Sequence, residues 1–145
     1  MLKYWEIELD GVDKTGKDLL CYYLCKLSNY TLSINVRGLI SQIAYNEKFN
    51  RDIEYDITNI SKNKIFILLT AEEEDLYIRC KNTNEELYDF KKDLKLFNTA
   101  ANTIQSYGYT VWKFNTSEFT PYILAKLILV KLSMLEEEDI NGHVS

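Results

Sequence analysis

The stretch LDGVDKTGKDLL, Leu9 to Leu20, limits the fold more than any other part of the chain. The residues before it alternate, with Trp5, Ile7 and Leu9 on one side and Glu6 and Glu8 on the other, the period of a β-strand. After it come Leu19, Leu20, Leu24 and Leu27, an apolar stripe at helical spacing. Between the two stand Gly11, Gly16 and Lys17, in the spacing GxxxxGK. Strand, glycine-bearing turn and helix in that order outline a phosphate-binding loop. Gly11 permits a sharp exit from the strand, and Gly16 lets backbone N–H groups approach an anion. A helix starting at Lys17 aims its free amides and positive dipole end at the same point, where the Lys17 ammonium would neutralise phosphate charge. The spacing alone recurs by chance, so its weight comes from the flanking elements. The alternative is a surface turn capped by glycines.

One residue departs from that outline. A hydroxyl usually follows the lysine, and here it is Asp18. A carboxylate about 4 Å from a phosphate charge costs roughly 4 kcal/mol at an effective dielectric of about 20. A Mg²⁺ between them, a turned-away Asp18, or the ammonium groups of Lys14 and Lys17 would reverse the sign. Asp18 thus excludes a metal-free version of the usual geometry, not binding itself.

Periodicity predicts strands at Lys3 to Leu9, Thr31 to Val36, Lys64 to Thr70 and Thr110 to Phe114. It predicts helices from Lys17 to Ser28, from Gly38 through GLISQIAYNEKF, near DIEYDITNI, near Glu72 to Cys80, and from Glu85 to about Ser106, where Gly108 ends the helix. A last helix begins at Pro121 with Thr120 as its cap. Strands alternating with helices predict an α/β fold of three layers around a small, mostly parallel sheet of about four strands. Residues 1–136 form one domain on this reading, and 137–145 form a flexible tail, acidic and then polar. Gly11 to Lys17, Arg37 and Asn115 to Glu118 all follow strands, so they share the sheet edge where α/β ligands bind.

Strands covered by helices on both faces are apolar throughout, as KIFILLT is. Glu6 and Glu8 in the first strand, and Thr31, Ser33 and Asn35 in the second, break that rule. They are either hydrated edge-strand residues or part of a face completed by a second copy or another protein.

A net charge of −5 argues against broad nucleic-acid binding. No apolar run is long enough for a membrane, and MLKYWEIELD is not a signal peptide, so a cytoplasmic location is expected. Cys21, Cys25 and Cys80 have no histidine cluster to complete a zinc site, His143 being the only histidine, and read as buried thiols in a reducing compartment.

At this point the chain resembles the thymidylate kinase branch of the P-loop nucleoside monophosphate kinases. ELDGVDKTGKDLL is similar to that family's strand, loop and helix, with Asp10, Asp13 and Lys17 in corresponding places. VRGLISQIAYNEKF resembles its Asp-Arg segment, DLYIRCKNTNEELYDF its lid, and YTVWKFNTSEFTPYILAKLI its last strand, base-contacting loop and closing helix. The resemblance implies phosphoryl transfer from ATP with Mg²⁺ to a deoxynucleoside monophosphate-like acceptor. Gly11, Asp13, Lys14, Thr15, Gly16, Lys17, Asp18 and Leu19, with Asn115 and Thr116, would surround the nucleotide. Lys17, Arg37 and Arg79 would serve as the phosphoryl-transfer cations, and Asp18 and Asp10 as metal ligands. The Gly-Lys-Asp variant also occurs in some phage deoxynucleoside monophosphate kinases, and an Asn-, Lys-, Ile- and Tyr-rich composition suits an AT-rich phage or bacterial genome.

The departures support other readings. Val36 replaces the family's aspartate, Leu19 a second hydroxyl, and the acceptor-binding segment before Arg37 is reduced or missing. A non-catalytic P-loop remnant that binds a nucleotide or a protein partner is the alternative, and a pure interaction module is a third. Several residues keep two readings. Arg37 is a phosphate clamp or a surface charge, and Arg79 a lid cation or a solvated helix residue. Asp13 is a substrate or magnesium contact, or an Asx-turn. Tyr45 is a base-stacking or a packing residue. Asn115, Thr116 and Ser117 hold adenine or form a capping turn. Arg51 reads as surface, and the acidic run at Glu72 to Asp75 as complementing a helix N-terminus.

Overall fold

A computed structural model describes residues 5–81 and 89–144. The elements run β1 (Glu6–Gly11), α1 (Lys17–Leu27), β2 (Ser33–Val36), α2 (Leu39–Lys48), β3 (Lys64–Thr70), α3 (Glu73–Lys81), α4 (Phe90–Ser106), β4 (Thr110–Asn115) and α5 (Pro121–Val144). The four strands form one sheet in the order β2-β1-β3-β4, every pairing parallel. This is the expected α/β architecture.

The apolar run of β3 serves both faces. Ile65, Ile67 and Leu69 join Ile7 and Leu9 against Leu20 and Leu24 of α1 and Leu124 and Ile128 of α5. Phe66 and Leu68 face the other way, onto Ile40 and Ala44 of α2, Leu76 of α3 and Phe97 and Ile104 of α4. α4 presents Phe90, Asp93, Phe97, Ala100, Ala101 and Ile104 at helical spacing, so one stripe is buried along its whole length. Its N-cap is Asp89, whose side chain accepts from Lys92 N, and Gly108 at φ +92° follows its C-cap. Thr120 caps α5 as expected, accepting from Ile123 N at 3.4 Å.

Several expectations differ from the structure. DIEYDITNI is not helical. The carbonyls of Ile53 and Glu54 accept from Asn46 and Gln42 of α2, and Asp56 Oδ1 takes Thr58 N and Thr58 Oγ1 in a tight local turn. Those bonds, in a stretch rich in β-branched residues, displace a helical ladder. α4 runs from Phe90 with Asp89 as its cap; the expected start at Glu85 lies among residues 82–88, outside the described residues. β1 is internal and its polar side is not hydrated: Glu8 is buried, with Lys64 Nζ at 2.6 Å from Oε2 and Leu39 N at 2.6 Å from Oε1. Of these two alternating strands, β2 is the one at an edge, with exposed Ser33 and Asn35. Finally, Cys80 is buried but Cys21 and Cys25 are only half-buried, Cys21 at the margin of the core between α1 and the sheet. Burial pushes the Cys21 thiol up to about 11. The backbone of 137–144, expected as a tail, continues α5. No helix among the described residues is long and apolar enough to cross a membrane.

Candidate functional site

The loop between β1 and α1 lies at the C-terminal edge of the sheet. Gly11 closes β1 opposite Leu69, and its Cα has no room for a substituent. Lys14 at φ +72° and Gly16 at φ +92° both take the left-handed conformation. That turns successive backbone amides toward one concavity. Gly16 is the N-cap of α1 and supplies no side-chain bond, so the first amides of the helix have no side-chain acceptor. Thr15 is buried, and its hydroxyl donates to Val12 O at 2.7 Å, so it shapes the loop from inside.

Lys17 is buried and its Nζ donates to Gly11 O at 2.5 Å and Val12 O at 3.0 Å. Burial lowers its pKa, and Asp13 opposes that shift. A phosphate arriving at the loop would offer this ammonium a stronger, charged acceptor than two carbonyls. Asp18 and Leu19 are exposed on the first turn of α1. Water around Asp18 screens the repulsion that the sequence alone predicts.

Arg37 follows β2 in the left-handed region, at φ +70°. The next turn is fixed by two carboxylates from β1. Asp10 accepts from Gly38 N at 2.8 Å, Ser41 N at 3.2 Å and the Ser41 hydroxyl, while Glu8 takes Leu39 N. Burial raises the Asp10 pKa, and its Oδ2 has no hydrogen-bond partner among the described residues. The Arg37 side chain is 68% exposed and, among the described residues, pairs only with Asp13, at 3.9 Å, beyond hydrogen-bond range. Arg37, Asp13, Lys14, Lys17 and Asp18 line one hollow of about 520 Å³.

Arg79 of α3 has a different placement from the lid cation that the sequence suggests. Its guanidinium donates to Lys14 O at 2.7 Å and to Thr116 Oγ1 and Thr116 O, each at 3.2 Å. It is a strut joining the β1–α1 loop to the β4–α5 loop. Arg79→Ala is therefore expected to lower the stability of the ligand-free protein by about 1 kcal/mol, read as a urea midpoint. A solvated lid residue would leave that midpoint unchanged.

Asn115, Thr116 and Ser117 form a turn with their side chains engaged by the fold. Asn115 donates to Glu72 Oε1 and accepts from Ser117 N; Thr116 donates to Thr70 O; Ser117 Oγ accepts from Glu72 N. This loop, Lys14, Gly16, Arg79 and Pro121 enclose a second hollow of about 400 Å³. Lys14 and Gly16 line both hollows, so together they make one cleft running from the β4–α5 loop across the glycine loop to Arg37. Tyr45 packs on Phe97 and Phe49, and Arg51 lies over the Phe49 ring at the surface. Sequence reasoning missed Ser41, Lys64 and the structural use of Glu8 and Glu72.

The same architecture recurs in the YorR protein of Bacillus subtilis, solved in complex with phosphorylated GDP, at a TM-score of 0.76 over 91% of this chain and 98% of that one. The fold is one that a nucleotide-binding protein also uses. Identity is 16%, so the likeness is one of fold. A scan against protein-family models gave no match, and a search of curated proteins gave none.

Among the described residues no group of three or more His, Cys, Asp or Glu could hold a metal. Mg²⁺ beside a nucleotide keeps waters and phosphate oxygens and needs only one or two carboxylates. Exposed Asp18 fits that donor set. Asp10 fits it poorly, because it is buried and its Oδ1 is committed to α2.

Proposed function

We propose that the chain is a small P-loop phosphotransferase of nucleoside monophosphate kinase type. It would use a nucleoside triphosphate with Mg²⁺, ATP on the sequence resemblance, and a deoxynucleoside monophosphate-like acceptor. The observation that carries this reading is the α1 N-terminus, without a side-chain cap, with buried Lys17 beside it in a cleft that ends at exposed Arg37. The loop amides and Lys17 would hold the donor phosphates, and Arg37 the acceptor phosphate. Catalysis of this kind is mainly positioning and charge neutralisation. A Mg²⁺ held through Asp18 would supply positive charge where that carboxylate otherwise repels phosphate. The nucleotide bound to YorR, on the same fold, is consistent with a nucleotide here.

A non-catalytic nucleotide-binding remnant is the second reading. Arg79 favours it, since its donors are spent on two loops rather than on a transferring group. Calorimetry with ATP, GTP and deoxynucleoside monophosphates, with and without Mg²⁺, tests the shared part. Binding is expected, weakened by more than about tenfold in Lys17→Ala. No heat with any nucleotide at millimolar concentration would overturn both readings. Phosphate transfer to a monophosphate selects the enzyme, and binding without transfer selects the remnant.

A further inference from the structure

The hollow at the β4–α5 loop has a chemistry of its own. Asn115, Thr116 and Ser117 have their side chains bonded to the fold, and the Thr120 hydroxyl accepts from Ile123 N. Glu118 differs. Its backbone N–H donates to Asn115 O, but its carboxylate has no hydrogen-bond or ion-pair partner among the described residues. It lines the hollow together with Phe119, which is 39% exposed and in no ring contact among the described residues, and with Pro121. The proline lies beside the phosphate loop, 3.6 Å from where a Cβ on Gly16 would stand.

Two apolar surfaces and one acceptor-only group suit a flat ring with donors on its edge. An ionised carboxylate accepts hydrogen bonds and cannot donate. Guanine presents two adjacent donors, N1–H and the N2 amino group, which one carboxylate can take as two parallel bonds. Adenine presents the N6 amino group next to unprotonated N1, whose lone pair would face the carboxylate. Hypoxanthine keeps N1–H alone.

We infer that this hollow selects guanine over adenine and that Glu118 reads the base. The inference rests on a nucleotide binding at the glycine loop, and it makes the triphosphate GTP rather than the ATP that the sequence resemblance implies. Glu118 is exposed, so its substitution leaves the core untouched.

The test is calorimetry with the Mg²⁺ complexes of GTP, ITP and ATP on the wild type and on Glu118→Gln. The wild type is expected to bind GTP about tenfold more tightly than ATP, with ITP between. A glutamine amide can donate to adenine N1 and accept from N6, so Glu118→Gln should reverse the order. ATP binding as tight as GTP in the wild type, or a preference unchanged in Glu118→Gln, would overturn the inference and leave nucleotide binding standing. No binding of any of the three would overturn both.

Discussion

Gly11→Ala is expected to lower stability by about 3 kcal/mol and to weaken nucleotide binding by more than about tenfold. A Cβ on Gly11 would stand 2.7 Å from Thr15 Oγ1, 2.8 Å from Leu69 O and 3.2 Å from Leu69 Cβ. The second of these is backbone of β3, paired on both sides, so it cannot step away without opening the sheet. The first is the hydroxyl that fixes the loop from within through Val12 O. Relief in either direction moves the carbonyls of Gly11 and Val12 that hold Lys17. Urea unfolding reads the stability term and calorimetry the binding term. A variant with the wild-type midpoint and wild-type affinity would mean that the close approach does not govern the loop. Gly16→Ala makes a useful contrast. There a Cβ would make only an ordinary 3.6 Å contact with Pro121 Cγ, and the cost comes from φ +92° instead.

The reason for Gly11 is legible in the amino-acid sequence. A glycine ending a patterned strand and opening a glycine–lysine turn predicts close backbone approach, and the sheet supplies the neighbour. The same is true of β3, where an unbroken apolar run predicts a central position. Lys17 and Arg37 are legible for a similar reason, since each directly follows a turn or strand end on the ligand edge. Arg79 is not. Its partners, Lys14 O and Thr116 O, are main-chain atoms distant in sequence, and no spacing rule encodes a side chain bonding to backbone that far away. The helix expected at DIEYDITNI does not form because its backbone carbonyls are taken by α2 side chains, a tertiary bond that outweighs local propensity. The alternation in β1 is plain as a pattern, but hydration is not its cause. An alternating acidic strand and a single lysine at the start of the next strand carry that signal, since parallel register sets Glu6 opposite Lys64 and Glu8 on the same face two residues on.

Glu8→Ala is expected to cost about 3 kcal/mol, with only the part due to the unpaired Lys64 ammonium recovered in the double variant Glu8→Ala, Lys64→Ala. The pair is 2.6 Å apart with Glu8 almost wholly enclosed, and Lys64 is a quarter exposed, so part of the ammonium can turn to water when its partner goes. The other carboxylate oxygen holds Leu39 N, the first amide of α2. Alanine leaves that amide without its acceptor at the positive end of the helix. Glu8→Gln separates the two losses, because it keeps an acceptor for Leu39 N and removes only the charge. It should fall between the wild type and Glu8→Ala in urea midpoint. A single-variant cost near zero would place the anchor of α2 elsewhere, and costs that simply add in the double variant would mean that Glu8 and Lys64 are not coupled. The consequence reaches the ligand edge. Glu8 and Asp10 on alternate positions of β1 grip Gly38, Leu39 and Ser41, and this grip holds Arg37 in its left-handed turn. If Arg37 holds the acceptor phosphate as proposed, loosening half of that grip should weaken that binding while leaving the Lys17 side of the cleft intact. Glu8 and Asp10 thus position Arg37 through main-chain bonds of the turn that follows it, without contacting its side chain.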